Sequence, residues 1–172
     1  RLLGIINEDI SNIRDILKTV SLMKWPAARI REAVSGYGEL WSTQILQQLL
    51  DGHDNKFMYL DARELIIIDE EAIYDGAVVW ETCMDNLKNL YTTSTHIVMT
   101  GYVATNTQGC ATTLQRDGSD YSAAILGRLL SSDSITIWTD VDGVLSADPR
   151  RVPHAQVLPE VSYSEAMELA YF

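Results

Sequence analysis

Apolar residues at Ile6, Ile10, Ile13, Leu17, Val20 and Met23 recur in steps of three and four, which places one apolar face along a helix from Leu2 to Met23. Pro26 breaks that pattern. Gly36 and Gly38 bracket a loop, after which Leu40, Ile45, Leu46, Leu49 and Leu50 resume helical spacing until Gly52 supplies a stop. Two short strands fit Phe57 to Leu60 and Leu65 to Ile68, and a helix from about Asp75 to Tyr91 carries Val78, Met84, Leu87 and Tyr91 on one face. Ile97 to Thr100, rich in β-branched residues and closed by Gly101, reads as a buried parallel strand, and Ile135 to Thr139 as another. The irregular connection from Tyr102 to Leu114 fits a β-hairpin over a ligand site.

Helix and strand signals alternate, which predicts an α/β fold: a three-layer α/β/α sandwich around a central, mainly parallel sheet. The strands 97–100 and 135–139 are expected as near neighbours whose carboxyl ends open on one crevice, where open α/β sheets hold ligands. The chain has 172 residues, the length of one domain, with no internal repeat, low-complexity segment or dividing linker.

Composition narrows the function classes. At 47% hydrophobic and 22% charged residues the chain is an ordinary globular sequence. Its net charge of −11 argues against a nucleic-acid footprint, so nucleotide binding has to be local, made by backbone donors and a few placed cations. Cys83 and Cys110 are too few for a disulfide framework, and a reduced compartment is the default. No apolar stretch approaches the roughly 18 residues of a membrane span. His53, His96 and His154 are scattered without ligand spacing, so no protein metal site is expected. Trp25, Trp41, Trp80 and Trp138 are expected to serve packing.

The densest chemistry lies at Arg116-Asp117-Gly118-Ser119-Asp120-Tyr121-Ser122. A cation, a glycine, a hydroxyl and carboxylates just ahead of an apolar-periodic segment suit anion binding, since free backbone N–H groups and the helix dipole face the ligand there. Arg116 is either a carboxylate-binding fork or a surface loop residue. Ser119 is a substrate donor, a helix N-cap, or both. Asp120 either orients a cation or favours the helix dipole. A serine-hydrolase reading of Gly118-Ser119-Asp120 lacks the Gly-x-Ser-x-Gly elbow. A second run, Ile137-Trp138-Thr139-Asp140-Val141-Asp142-Gly143-Val144, reads as a strand ending in Thr-Asp.

These runs, with Gly36-Tyr37-Gly38-Glu39-Leu40-Trp41-Ser42-Thr43 upstream and Ser162 to Phe172 at the end, resemble the catalytic domain of the aspartate kinases, in the amino-acid kinase family. The resemblance covers nearly the whole chain. Within the family, Arg116 to Asp120 and Tyr59-Leu60-Asp61-Ala62-Arg63-Glu64 are most similar to the branch fused to homoserine dehydrogenase. It implies the amino-acid kinase fold, incomplete at both ends, with residues 1–172 as part of one catalytic domain. It implies phosphorylation of the side-chain carboxylate of L-aspartate by ATP with Mg2+, at the head of lysine, threonine and methionine biosynthesis. A homo-oligomer is implied for the full-length enzyme, in the cytoplasm, or in the plastid of a plant.

Residue by residue, the resemblance assigns Arg116 to the α-carboxylate of aspartate, Glu39 to its ammonium group, and Gly118 and Ser119 to further donors. Asp120 is the expected essential residue: an acceptor carboxylate is already ionised at neutral pH and needs no base, so Asp120 orients a lysine that grips the transferred phosphate. Thr139, Asp140, Leu145 and Arg150 are assigned to the nucleotide. Two positions depart from the family pattern: Leu145 stands where tyrosine is common, and Asp117 where Gly or Asn is common, an added carboxylate that must point away from the anions or meet an ammonium. The family's Lys-Phe-Gly-Gly run and a second lysine, in Gly-Ala-Lys, have no counterpart among Lys18, Lys24, Lys56 and Lys88. The expectation is therefore a chain inactive by itself. Alternatives are an acceptor of the glutamate or acetylglutamate kind, and a binding fragment without turnover.

Overall fold

The computed structural model describes residues 2–24, 28–51, 56–71, 77–90, 96–115 and 117–171. The expectations placed on Trp25, Pro26, Gly52, His53, Tyr91 and Arg116 lie outside them. Two compact units are formed, Arg1–Ile135 and Thr136–Phe172.

In the first unit, α1 runs Leu2–Met23, matching the apolar periodicity. None of its residues is buried, and the stripe turns toward Ile16 while Leu17 stays 52% exposed. Asp9 of α1 accepts a 2.8 Å hydrogen bond from Trp41 Nε1 and ties the helix to α3. Helix α2, Ala28–Ser35, was not legible in the periodicity; the loop expected over Gly36 to Gly38 shrinks to the single residue Gly36, and α3, Tyr37–Leu50, already contains Gly38. Tight packing explains the short turn: a Cβ on Gly36 would lie 2.7 Å from Val103 Cγ1.

Strand β1, Phe57–Leu60, falls where the sequence reading puts it. The next expected strand, Leu65 to Ile68, is shifted to β2, Ile67–Asp69, and its first residue, Leu65, instead ends a short helix α4, Ala62–Leu65. Asp61 causes the change, because its carboxylate accepts from Arg63 N at 3.0 Å as an N-cap and also grips the Arg63 guanidinium at 2.6 Å. Then follow β3, Ala77–Val78; α5, Trp80–Leu90; β4, His96–Met99; β5, Val103–Asn106; β6, Ala111–Thr113; and α6, Gly118–Leu129.

The architecture is α/β. Strand β4 pairs with β1 in parallel, Phe57 opposite His96 and Leu60 opposite Met99. A second ladder has the order β3-β2-β5-β6, with β2 and β5 parallel and the other two pairings antiparallel. Strands β5 and β6 are the expected hairpin. Buried Leu60, Leu65, Ile66, Ile68, Cys83, Leu87, Val103, Ala104 and Ile125 form the core beneath them. Cys83 Sγ meets the backbone of Ile67, and burial pushes its thiol above the ordinary range.

The second unit has one helix, α7, Tyr163–Tyr171, and an isolated antiparallel bridge between Leu145 and Val157. Residues 135–139 do not form the expected strand. A β-propensity is realised only against a paired neighbour, and here Ile135, Ile137 and Trp138 are 47%, 43% and 92% exposed with no ladder partner among the described residues. Trp138 therefore does not serve the packing expected of it, whereas Trp41 and Trp80 pack against the core.

Helix α7 opens with a capping box. Glu165 Oε2 accepts from Ser162 Oγ at 2.7 Å and from Ser162 N at 2.8 Å, and these bonds hold its carboxyl below the usual glutamate range. A depressed folded value means that the cap is complete above the ordinary range and is lost as pH falls through the lowered one. Ser162→Ala is expected to move the Glu165 titration upward in an NMR pH series. An unmoved midpoint would show that the Ser162 bonds do not set it.

Candidate active site

Parallel strand β4 ends at Met99, and the chain then passes through Thr100, Gly101 and Tyr102 into the hairpin. Buried Thr100 Oγ1 accepts from Ala62 N at 2.8 Å, which fixes this strand end to α4. Gly101 is required by close approach, since a Cβ there would lie 2.9 Å from Ser119 Oγ and 3.1 Å from Ser119 Cα. Gly118 is confined in the same way, by Tyr102 Cδ2 and Leu114 Cβ, each 3.0 Å from an added Cβ. The hairpin base thus rests directly on the N-terminus of α6.

Ser122 locks that contact: its Oγ accepts from Tyr102 N at 3.0 Å and donates to the Gly118 carbonyl at 2.8 Å. Asp117, at φ 58°, is the N-cap residue of α6, a left-handed conformation that Asp tolerates. The helix then begins at Gly118, so Ser119 and Asp120 sit in its first turn and Ser119 is not the N-cap. Their exposure leaves both side chains available to a ligand beside the positive end of the helix dipole.

An open cleft of about 450 Å³ is lined by Ser35, Glu39, Tyr102, Gln115, Asp117, Gly118, Ser119 and Asp120. Glu39, in the first turn of α3, and the run Asp117 to Asp120 are therefore brought together across 78 residues of chain. Ser35, Tyr102 and Gln115 were missed. The available signal was positional: Tyr102 follows the glycine that closes a strand, and Ser35 precedes the glycine that opens α3.

Thr139, Asp140, Leu145 and Arg150 lie in the second unit. Thr139 Oγ1 bonds its neighbour Asp140 Oδ1 at 3.3 Å, and Leu145 bridges to Val157. Arg150 N donates to Asp148 Oδ1 at 2.9 Å in an Asx turn, which leaves its guanidinium exposed. Because 135–139 is not a strand, Thr139 and Asp140 do not end one. Among the described residues no group of three or more His, Cys, Asp or Glu is placed to hold a metal ion.

The packing around Gly101 makes a prediction. Gly101→Ala forces Ser119 and the start of α6 to move, and overpacking of this kind costs about 1–3 kcal/mol. Urea denaturation should show a lowered midpoint with an unchanged slope. Wild-type stability in the variant would mean that the first turn of α6 yields without cost.

Known proteins are similar to this chain in sequence and fold. A bifunctional aspartokinase/homoserine dehydrogenase 2, chloroplastic, of Zea mays is 37% identical over 174 residues, an alignment covering 100% of this chain and 19% of that protein. Aspartokinase 2, chloroplastic, of Arabidopsis thaliana is 34% identical, over 98% of this chain and 32% of its own length. The crystal structure of E. coli aspartokinase III in complex with aspartate and ADP (R-state) superposes with a TM-score of 0.83 at 26% identity, covering 97% of this chain and 38% of that one. The chain thus spans about a fifth of the length of its bifunctional relative. A family model described as the amino acid kinase family matches residues 7–172, across both units, and the chain belongs to that family.

Proposed function

We propose that this chain supplies the acceptor side of ATP-dependent phosphorylation of L-aspartate to 4-phospho-L-aspartate. The observation that carries the reading is the meeting of Glu39 with Gly118, Ser119 and Asp120 on one cleft, at the end of a parallel strand. Aspartate and ADP are bound in the E. coli aspartokinase III structure that the chain matches, which supports the same ligand pair here.

In this reading the two charged ends of the amino acid take different partners. Glu39 pairs with the α-ammonium, and Arg116, beyond the described residues, takes the α-carboxylate. Ser119 Oγ donates toward the acceptor, where the helix dipole favours negative charge, and Gly118, whose N–H is engaged by the Gln115 carbonyl at 3.2 Å, lines the cleft beside it. The β-carboxylate is an ionised nucleophile that needs no base. It attacks the γ-phosphorus of ATP: a carboxylate O–P bond forms, the bond to the bridging oxygen breaks, and ADP leaves with that electron pair. The task of the protein is to hold two anions in line and neutralise the charge between them. Asp120 contributes by orienting a cation. Thr139, Asp140, Leu145 and Arg150 are the nucleotide side, and magnesium enters with the nucleotide's phosphates. The reading takes residues 1–172 as part of one catalytic domain and includes a homo-oligomer, as the family resemblance implies, and a linked homoserine dehydrogenase, which the bifunctional relative supports.

Calorimetric titration of the purified chain with L-aspartate tests the acceptor half, with L-glutamate and N-acetylglutamate as competitors. Hydroxylamine trapping of the acyl phosphate, using the natural protein that carries this chain, tests transfer. Saturable L-aspartate binding and an aspartyl hydroxamate are expected. Preference for either competitor would overturn the choice of acceptor.

A further inference from the structure

We propose that Tyr102 and Ser35 form a hydroxyl clasp that sets the spacing between the Glu39 wall and the Gly118–Asp120 wall of the cleft, making Tyr102 a positioning residue for the acceptor amino acid. The identity of that acceptor rests on the aspartate reading above; the clasp itself rests on geometry.

Five described non-glycine residues have left-handed backbone, Lys24, Tyr102, Gln115, Asp117 and Ser131, and three of them line this one cleft. Such conformations persist where the surroundings over-determine them, and they concentrate at ligand sites. Tyr102, at φ 68°, has both backbone groups engaged: its N–H donates to Ser122 Oγ at 3.0 Å, and its carbonyl accepts from Leu114 N at 2.7 Å. What it offers the cleft is its side chain. The ring lies so close to Gly118 that an added Cβ there would fall 3.0 Å from Cδ2, which makes the ring follow the start of α6. The phenol oxygen at the far end of the ring is 3.3 Å from Ser35 Oγ, on the last residue of α2.

The direction of that bond follows from proton counting. Ser35 Oγ donates its one proton to the Glu32 carbonyl at 2.9 Å, so the Tyr102 hydroxyl is the donor between the pair. Gly36 separates Ser35 from α3, whose first turn carries Glu39. A rigid ring therefore spans from the α6 wall to the anchor of the Glu39 wall, and an amino acid held by both feels the spacing. Ser35 is exposed, so removing the phenol oxygen leaves its hydroxyl to water and does not create a buried orphan.

The test uses Tyr102→Phe, Ser35→Ala and the double variant of the natural protein that carries this chain. A neutral hydrogen bond at stake in acceptor binding corresponds to a rise of roughly 3- to 10-fold in KM for L-aspartate. Turnover and the KM for ATP should change by about twofold or less, since spacing of the acceptor walls acts on ground-state binding. The double variant should be no worse than Ser35→Ala alone, because the bond between the two hydroxyls can be lost only once, while Ser35→Ala also gives up the bond to Glu32. Hydrogen exchange at the Gly36 to Glu39 amides should speed up in Tyr102→Phe, and no more in the double variant than in Ser35→Ala. Additive effects, an unchanged KM, or equal losses in turnover and KM would overturn the positioning role. Unchanged exchange overturns the clasp even where the wild type phosphorylates aspartate, and then the aspartate reading stands. A wild type that takes no aspartate sinks that reading and the acceptor role together, while exchange still decides whether the clasp exists.

Discussion

Asp120→Ala is expected to lower turnover by on the order of 100-fold or more in the natural protein that carries this chain, with the KM for L-aspartate moving only a few-fold. The asymmetry follows from the chemistry of the proposed acceptor, L-aspartate. A β-carboxylate arrives ionised, so a base has nothing to remove, and a carboxylate in the site would by itself repel both substrates. Asp120 nevertheless lines the cleft from the first turn of α6, beside Ser119 and opposite the wall that carries Glu39. A carboxylate there is useful when it holds a cation against the oxygens on which charge develops during transfer. That interaction grows toward the transition state and so appears in turnover. If Arg116 holds the α-carboxylate as proposed, Arg116→Ala should show the opposite pattern, a raised KM for aspartate with turnover little changed, because a ground-state contact is lost. Steady-state kinetics with both substrates varied distinguishes the two. Equal small effects of both substitutions on both parameters would remove the support for these roles.

Ile125→Ala should be the most damaging simple truncation on the cleft side of the molecule, costing about 2–5 kcal/mol of folding stability. Ile125 is 0% exposed and lies on α6, two turns beyond Ser119. It belongs to the same buried cluster as Leu65, Ile66, Cys83 and Leu87, so it anchors the helix whose first turn forms one wall of the cleft. Truncation leaves a cavity that its neighbours fill only in part. Against the roughly 5–15 kcal/mol that holds a typical domain together, this is a large fraction. Equilibrium urea unfolding, followed by far-UV circular dichroism, should show a markedly lower midpoint. A change below about 0.5 kcal/mol would show that α6 is held by its other contacts, chiefly the Ser122 bonds and the cation–π contact of Arg128 with Trp80 at 3.8 Å.

What the sequence by itself determined were the features governed by near neighbours along the chain. Helix α1 and the body of α3 follow from apolar spacing, β1 and β4 from short β-branched or aromatic runs, and the hairpin from the irregular segment after β4. Asp117 to Asp120 stood out as a candidate site because a glycine, a hydroxyl and carboxylates cluster within a few residues, and Glu39 because its motif resembles a family pattern; the structure brings both to one cleft. Tertiary structure decided the rest. Whether 135–139 becomes a strand depends on a partner ladder, which no local pattern encodes, and Ile137 and Trp138 remain exposed without one. The Asp61 carboxylate caps α4 through one N-cap bond, which draws Leu65 into a helix and delays the expected strand to Ile67. Ser35 and Tyr102 each stand beside a glycine that the sequence shows, but their pairing was not legible, because they are 67 positions apart and meet only when Gly36, Gly101 and Gly118 let three backbones approach closely. Such contacts belong to packing in space, where the absence of a side chain at one position decides what another can touch.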